Sequence, residues 1–137
     1  MKPMEALALV GRLDEEVTVL GMKFKWRTLD SDEHISSRSA VSLWDAESKE
    51  HALKVETLAR AIETIDGVSF SSLVKPEEKE RPGIVLITAR LSISKWQPAV
   101  VNRVYETYRR LLVKQDNELE ELEKNGKSPI TSTIAGK

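Results

Sequence analysis

His34 and His51 are the residues of this chain best suited to move a proton or hold a metal near neutral pH, where imidazole titrates unperturbed. Neither stands in a metal-ligand spacing such as HExxH. Glu33 precedes His34 directly, and sequence neighbours do not face one another on a helix. Both histidines therefore read as exposed helix-surface residues. The chain has no cysteine, which excludes disulfides, thiolate catalysis and cysteine-based zinc sites. Absence of cysteine also fits a reducing compartment. Serines are plentiful between Ser36 and Ser42, but none sits in a GxSxG nucleophile elbow. No GxGxxG or GxxxxGK[ST] loop is present to cradle a phosphate. Asp66-Gly67 reads as a helix stop. Trp26, Trp44, Trp96, Tyr105 and Tyr108 could stack on bases, but nearly all fall at apolar periodic positions and read as core. The sequence thus predicts a protein that is not an enzyme and uses no cofactor or metal.

Charge narrows the partners. Lys plus Arg number 21 against 22 Asp plus Glu, a net charge of −1. Nucleic-acid affinity draws on many uncompensated phosphate contacts, so nucleic acid is a poor candidate partner. No apolar run approaches the roughly 20 residues of a membrane-spanning helix. "MKPMEALALVGRLDEE" has one early lysine, a short apolar patch and acidic residues soon after, a poor signal peptide. The expectation is a cytoplasmic protein without a membrane partner.

The elements follow from periodicity. Residues 4–12 form a short helix or an arm. Val17 and Val19, then Met22, Phe24 and Trp26 beyond Gly21, alternate with polar residues, which predicts a β-hairpin. Lys23, Lys25 and Arg27 then form a solvated sheet face, with a basic binding face as the alternative. Asp30 or Ser31 can cap a short helix with acidic residues in its first turn, followed by a break. From roughly Ser42 to Asp66 a helical stripe appears: Ala52, Val55, Ala59 and Ile62, widened by Leu58 and Ile65. Glu47, Lys49, Glu50 and Lys54 face water, and Gly67 supplies the C-cap. Residues 71–83 hold two prolines, a glycine and a charge run, the clearest loop. In 84–94, Val85, Ile87, Ala89, Leu91 and Ile93 alternate with their neighbours. This is the period of a strand, although a buried helix of that length fits too.

The last helix is the strongest element. Ser94 and Gln97 have capping-box spacing, with Pro98 in the first turn. Val101, Tyr105, Tyr108, Leu112, Gln115, Leu119 and Leu122 then step by four and three, the seam of packed helices. Gln115 is its one polar step, a candidate register-setting residue. The helix is basic early (Arg103, Arg109, Arg110, Lys114) and acidic late (Asp116, Glu118, Glu120, Glu121, Glu123). We take Tyr105, Tyr108, Leu112, Leu119 and Leu122 as the candidate protein-interaction surface, for a second copy or a client; an ordinary bundle helix is the alternative. The expected fold is mostly α, an N-terminal β-hairpin followed by a small helical bundle with a long C-terminal helix. Its divisions are an arm or short helix over 1–14, one domain over 15–125, and a flexible tail over 126–137.

"VTVLGMKFKWRTLD", "VETLARAIETIDGVSF" and "WQPAVVNRVYETYRRLLVKQDNELEEL" together resemble small tail assembly chaperones of tailed bacteriophages, and related baseplate assembly proteins. The residues that carry the resemblance are Arg27, Leu58, Ala59, Ala61, Ile62, Ile65, Asp66, Gly67, Val101, Tyr105, Tyr108 and Leu112. It covers roughly residues 15–125 at the level of pattern, and it favours a helix at 84–94. It implies a non-enzymatic protein that keeps a tail-tube, baseplate or tape-measure client soluble in the host cytoplasm until assembly. It equally admits a structural component retained in the virion tail. An unrelated helical adaptor is the third reading.

Overall fold

Leu20 and Gly21 both take positive φ, 52° and 79°. Two such residues make the hairpin turn whose twist matches its flanking strands. In the computed structural model, which describes residues 2–125, this turn joins β1 (Asp14–Val19) to β2 (Met22–Arg27). The strands are antiparallel, with Val17 opposite Phe24 and Glu15 opposite Trp26. Phe24 and Trp26 point into the core and stack with ring centroids 5.6 Å apart. Lys23 and Lys25 lie exposed on the other face.

Before the hairpin, α1 (Pro3–Leu9) buries Ala6. Its exit is tied to the far end of the hairpin: the Leu13 amide donates to Thr28 Oγ1 at 3.0 Å, and the Thr28 amide donates to the Leu13 carbonyl. After the hairpin, α2 (Ser31–Ala40) starts at an Asp30 capping box, completed by Glu33. A turn over 41–44 leads to α3 (Ala46–Ala61), capped by Asp45. This turn buries Val41 but leaves Leu43 99% and Trp44 54% exposed, so Trp44 does not serve the core.

The helix expected to run to Asp66 ends at Ala61. Residues Ile62–Ile65 form β3, antiparallel to β2, with Ile65 opposite Phe24. The sheet is three-stranded in the order β1-β2-β3, not a lone hairpin. Ile62, Thr64 and Ile65 are β-branched residues that suit a strand, and the free edge of β2 offers them a partner. Gly67 is correspondingly not a helix cap. Asp66 and Gly67, at φ 49° and 81°, form a second hairpin-type turn, closed by paired hydrogen bonds between Ile65 and Val68. Asp66 also binds β2, since its Oδ1 accepts from the Lys23 amide at 2.7 Å.

The segment after Val68 carries two short 3-10 turns, Phe70–Leu73 and Pro76–Glu78, and buries Phe70 and Val74. Residues Ile84–Ser94 form helix α4. It buries Ile84, Ala89 and Ile93, so helical packing overrides the strict alternation. The Ser94–Gln97 capping box does not form: α4 ends at Ser94, whose Oγ donates to the Arg90 carbonyl, and α5 (Pro98–Lys124) starts without a side-chain cap. One core gathers the inward sheet face, α3, α4 and the first half of α5 around Trp26, Leu58, Ile93, Val101 and Val104. The chain is thus mostly helical, with the sheet toward its N-terminal half and a long C-terminal helix. The expected tail at 126–137 lies outside the described residues.

Candidate functional site

His34 and His51 sit on different helices. His34 is exposed on α2, its Nε2 within 3.0 Å of Arg38 Nε. His51 lines a groove of about 430 Å³ with Trp44, Ala52, Val55 and Arg90. Among the described residues, no cluster of three or more His, Asp or Glu is placed to hold a metal ion.

Two ion-pair sites, unseen in the sequence, lock the elements together. Arg27 reaches Glu33 with both Nη atoms, so at Arg27 the sheet face expected to be solvated, or alternatively a basic binding face, is instead paired with α2. The hydrogen bond from Arg27 comes first among the causes that hold the Glu33 carboxyl below the usual range. Glu56 lies inside, its side chain 7% exposed. It accepts from Arg60 Nη1 at 2.9 Å, and from Arg90 Nε and Nη2 of α4. Burial pushes the Glu56 carboxyl up, but the two arginines outweigh it and hold it below the ordinary carboxylate value. Removing one member of such a site strands a buried charge. The triad therefore fastens α4 to α3. Its one legible sign is Arg90, the only charged residue in 84–94.

The seam of α5 is real, but two of its steps sit one residue away from those expected. The buried line is Val101, Val104, Tyr108 and Leu111. Tyr108 is 4% exposed and packs on Trp26 at 6.0 Å between ring centroids. It belongs to the core and leaves the candidate surface. Tyr105 is half-buried at the rim, beneath Lys54 Nζ at 5.6 Å from its ring. Leu112 is 37% exposed and Val113 61%.

Beyond Leu111 the helix leaves the main core and meets the N-terminal arm. Gln115 Nε2 donates to the Gly11 carbonyl at 2.9 Å. Leu119 packs on Gly11 so closely that a Cβ there would stand 3.2 Å from Leu119 Cδ2. Lys114 pairs with Glu15 of β1. Gln115, the one polar step of the seam, thus meets the arm of its own chain. Leu122 and Leu9 line a groove of about 720 Å³ between the arm and α5. Of the five candidate residues, the structure brings Tyr105 and Tyr108 together at 6.3 Å. It assigns Leu119 to the arm, and leaves Leu112 and Leu122 with partly open surface.

No helix among the described residues is long and apolar enough to cross a membrane. No protein-family model, curated protein or solved structure matches the chain.

Proposed function

We propose that this chain is a non-enzymatic tail assembly protein of a tailed bacteriophage, a chaperone that binds a tail or tape-measure client before or during assembly. The observation that carries the reading is the distal half of α5. It continues an apolar seam about three turns past the last core residue, Leu111, where it meets the short arm and the start of β1. A projecting helix with partly open apolar positions is suited to receive a client's apolar surface. The resemblance in pattern to tail assembly chaperones supplies the class of client. The host cytoplasm is the corresponding place of action.

The test is co-expression with a tape-measure or tail-tube protein that aggregates alone. The proposal requires more soluble client in the presence of the chain, co-purification of the two, and absence of the chain from finished particles by mass spectrometry. Recovery in purified particles assigns it to the virion tail or baseplate as a structural component. Failure to hold any tail client overturns the proposal and leaves the unrelated adaptor.

A further inference from the structure

We infer that the groove between the N-terminal arm and the distal half of α5 receives a basic amphipathic segment of a protein partner. This deepens the client-binding reading by naming the chemistry of the bound segment, and it rests on that reading for its biological setting. The groove runs along α5 from Lys114 to Asn125, roughly 16 Å at 1.5 Å per residue. Leu9, 43% exposed, supplies apolar wall from the arm, and Leu122 supplies it from the helix.

The charges select the occupant. Both cations of the lining are already neutralised: Arg12 pairs with Asp14 at 3.3 Å, and Lys114 pairs with Glu15. Glu118 and Glu121, on the same wall, take part in no ion pair among the described residues. The groove therefore presents apolar anchor points within an acidic excess, since among the described residues of its lining Asp14, Glu15, Glu118 and Glu121 stand against Arg12 and Lys114. An acidic segment would meet repulsion there, and an uncharged one would leave the carboxylates uncompensated. A segment carrying Lys or Arg beside Leu or Ile satisfies both features. The partner side chains would enter between Leu9 and Leu122 while their cations meet Glu118 and Glu121. The floor is fixed from below, because Gln115 and Leu119 hold the Gly11 backbone against α5.

The experiment is fluorescence anisotropy with the full chain and a labelled amphipathic peptide of lysine and leucine, with a glutamate–leucine peptide of the same pattern as control. Binding of the lysine peptide alone is expected, weakening as salt rises. Glu118→Gln with Glu121→Gln should reduce affinity about tenfold or more, with an unchanged circular dichroism spectrum. Leu122→Ser should also weaken it. Glu120→Gln with Glu123→Gln, on another face of α5, removes the same charge and should leave binding intact. Equal loss in both double variants, or no binding, overturns the proposal. Binding that appears only in a chain ending at Asn125 assigns the groove to residues 126–137 instead. A dimer of the free chain that dissociates in the Glu118/Glu121 variant assigns it to a second copy. Failure of the peptide with retention of a tail client overturns the groove's role alone; loss of every client overturns the broader reading.

Discussion

Gln115 and Gly11 stand 104 positions apart in the chain and are joined by one hydrogen bond of 2.9 Å. Gly11 permits this approach because it lies at φ 82° and has no Cβ to meet Leu119. Gly11→Ala should therefore combine a left-handed alanine with a crowded Leu119. The backbone cost alone is about 1–2 kcal/mol. A lower urea midpoint with an unchanged slope would show that loss as stability.

Glu56 makes a sharper case. Glu56→Ala leaves Arg60, whose side chain is 9% exposed, without its carboxylate. Breaking a buried pair in this way costs about 3–5 kcal/mol, so thermal unfolding should move down markedly. Arg81→Ala removes an exposed pair with Glu78 at 3.8 Å and should change stability by less than about 1 kcal/mol.

Acid should act through the same carboxylates. The folded-state pKa values of Glu56 and Glu33 are depressed. Their stabilisation is thus complete above the unfolded value of about 4.3 and fades as pH falls through the lower folded values. Stability measured by urea unfolding should decline below about pH 4.3, and Glu56→Gln should flatten that decline. An unchanged slope in the variant would remove Glu56 as its source.

Leu20 occupies a left-handed position with its side chain 56% exposed. Asparagine tolerates that conformation better. Leu20→Asn should recover part of the roughly 1–2 kcal/mol that the left-handed region costs an ordinary residue, raising the melting temperature.

The phase of the α5 seam is testable with neighbouring leucines. Leu111→Ala should cost about 2–5 kcal/mol as a core truncation. Leu112→Ser should leave the melting temperature nearly unchanged while reducing client co-purification. The opposite pattern would restore the seam as first read from spacing.

The hairpin, α2 with its cap and the long last helix were legible because one signal dominated each. Phe24 and Trp26 alternate with lysines, Asp30 or Ser31 followed by acidic residues marks the start of α2, and the α5 stripe recurs over many turns. The serine-rich stretch from Ser36, weak for any regular element, is nevertheless helical to Ala40. β3 was hidden because Ile62 and Ile65 also complete the helical stripe of α3. In α5, apolar pairs at 100–101, 104–105 and 111–112 allow two phases, and contact with the sheet selects between them. The candidate surface was legible as an apolar helix face but not in its division. Leu119 is claimed by Gly11, a contact between chain ends that no local pattern contains.

The sheet also has an order of assembly. β2 pairs with β1 through a two-residue turn, but its other edge waits for Ile62–Ile65, which follow α2 and α3 in the chain. During synthesis the N-terminal part emerges first, so β2 exists for a time as an open edge bearing Met22, Phe24 and Trp26. An open, apolar edge is a template for pairing with other chains. Lys23, Lys25 and Arg27 alternate along that edge, and charge so placed acts as a gatekeeper against association. Lys23 and Lys25, which stay exposed in the finished protein, and Arg27, which α2 later pairs with Glu33, therefore protect the unfinished one.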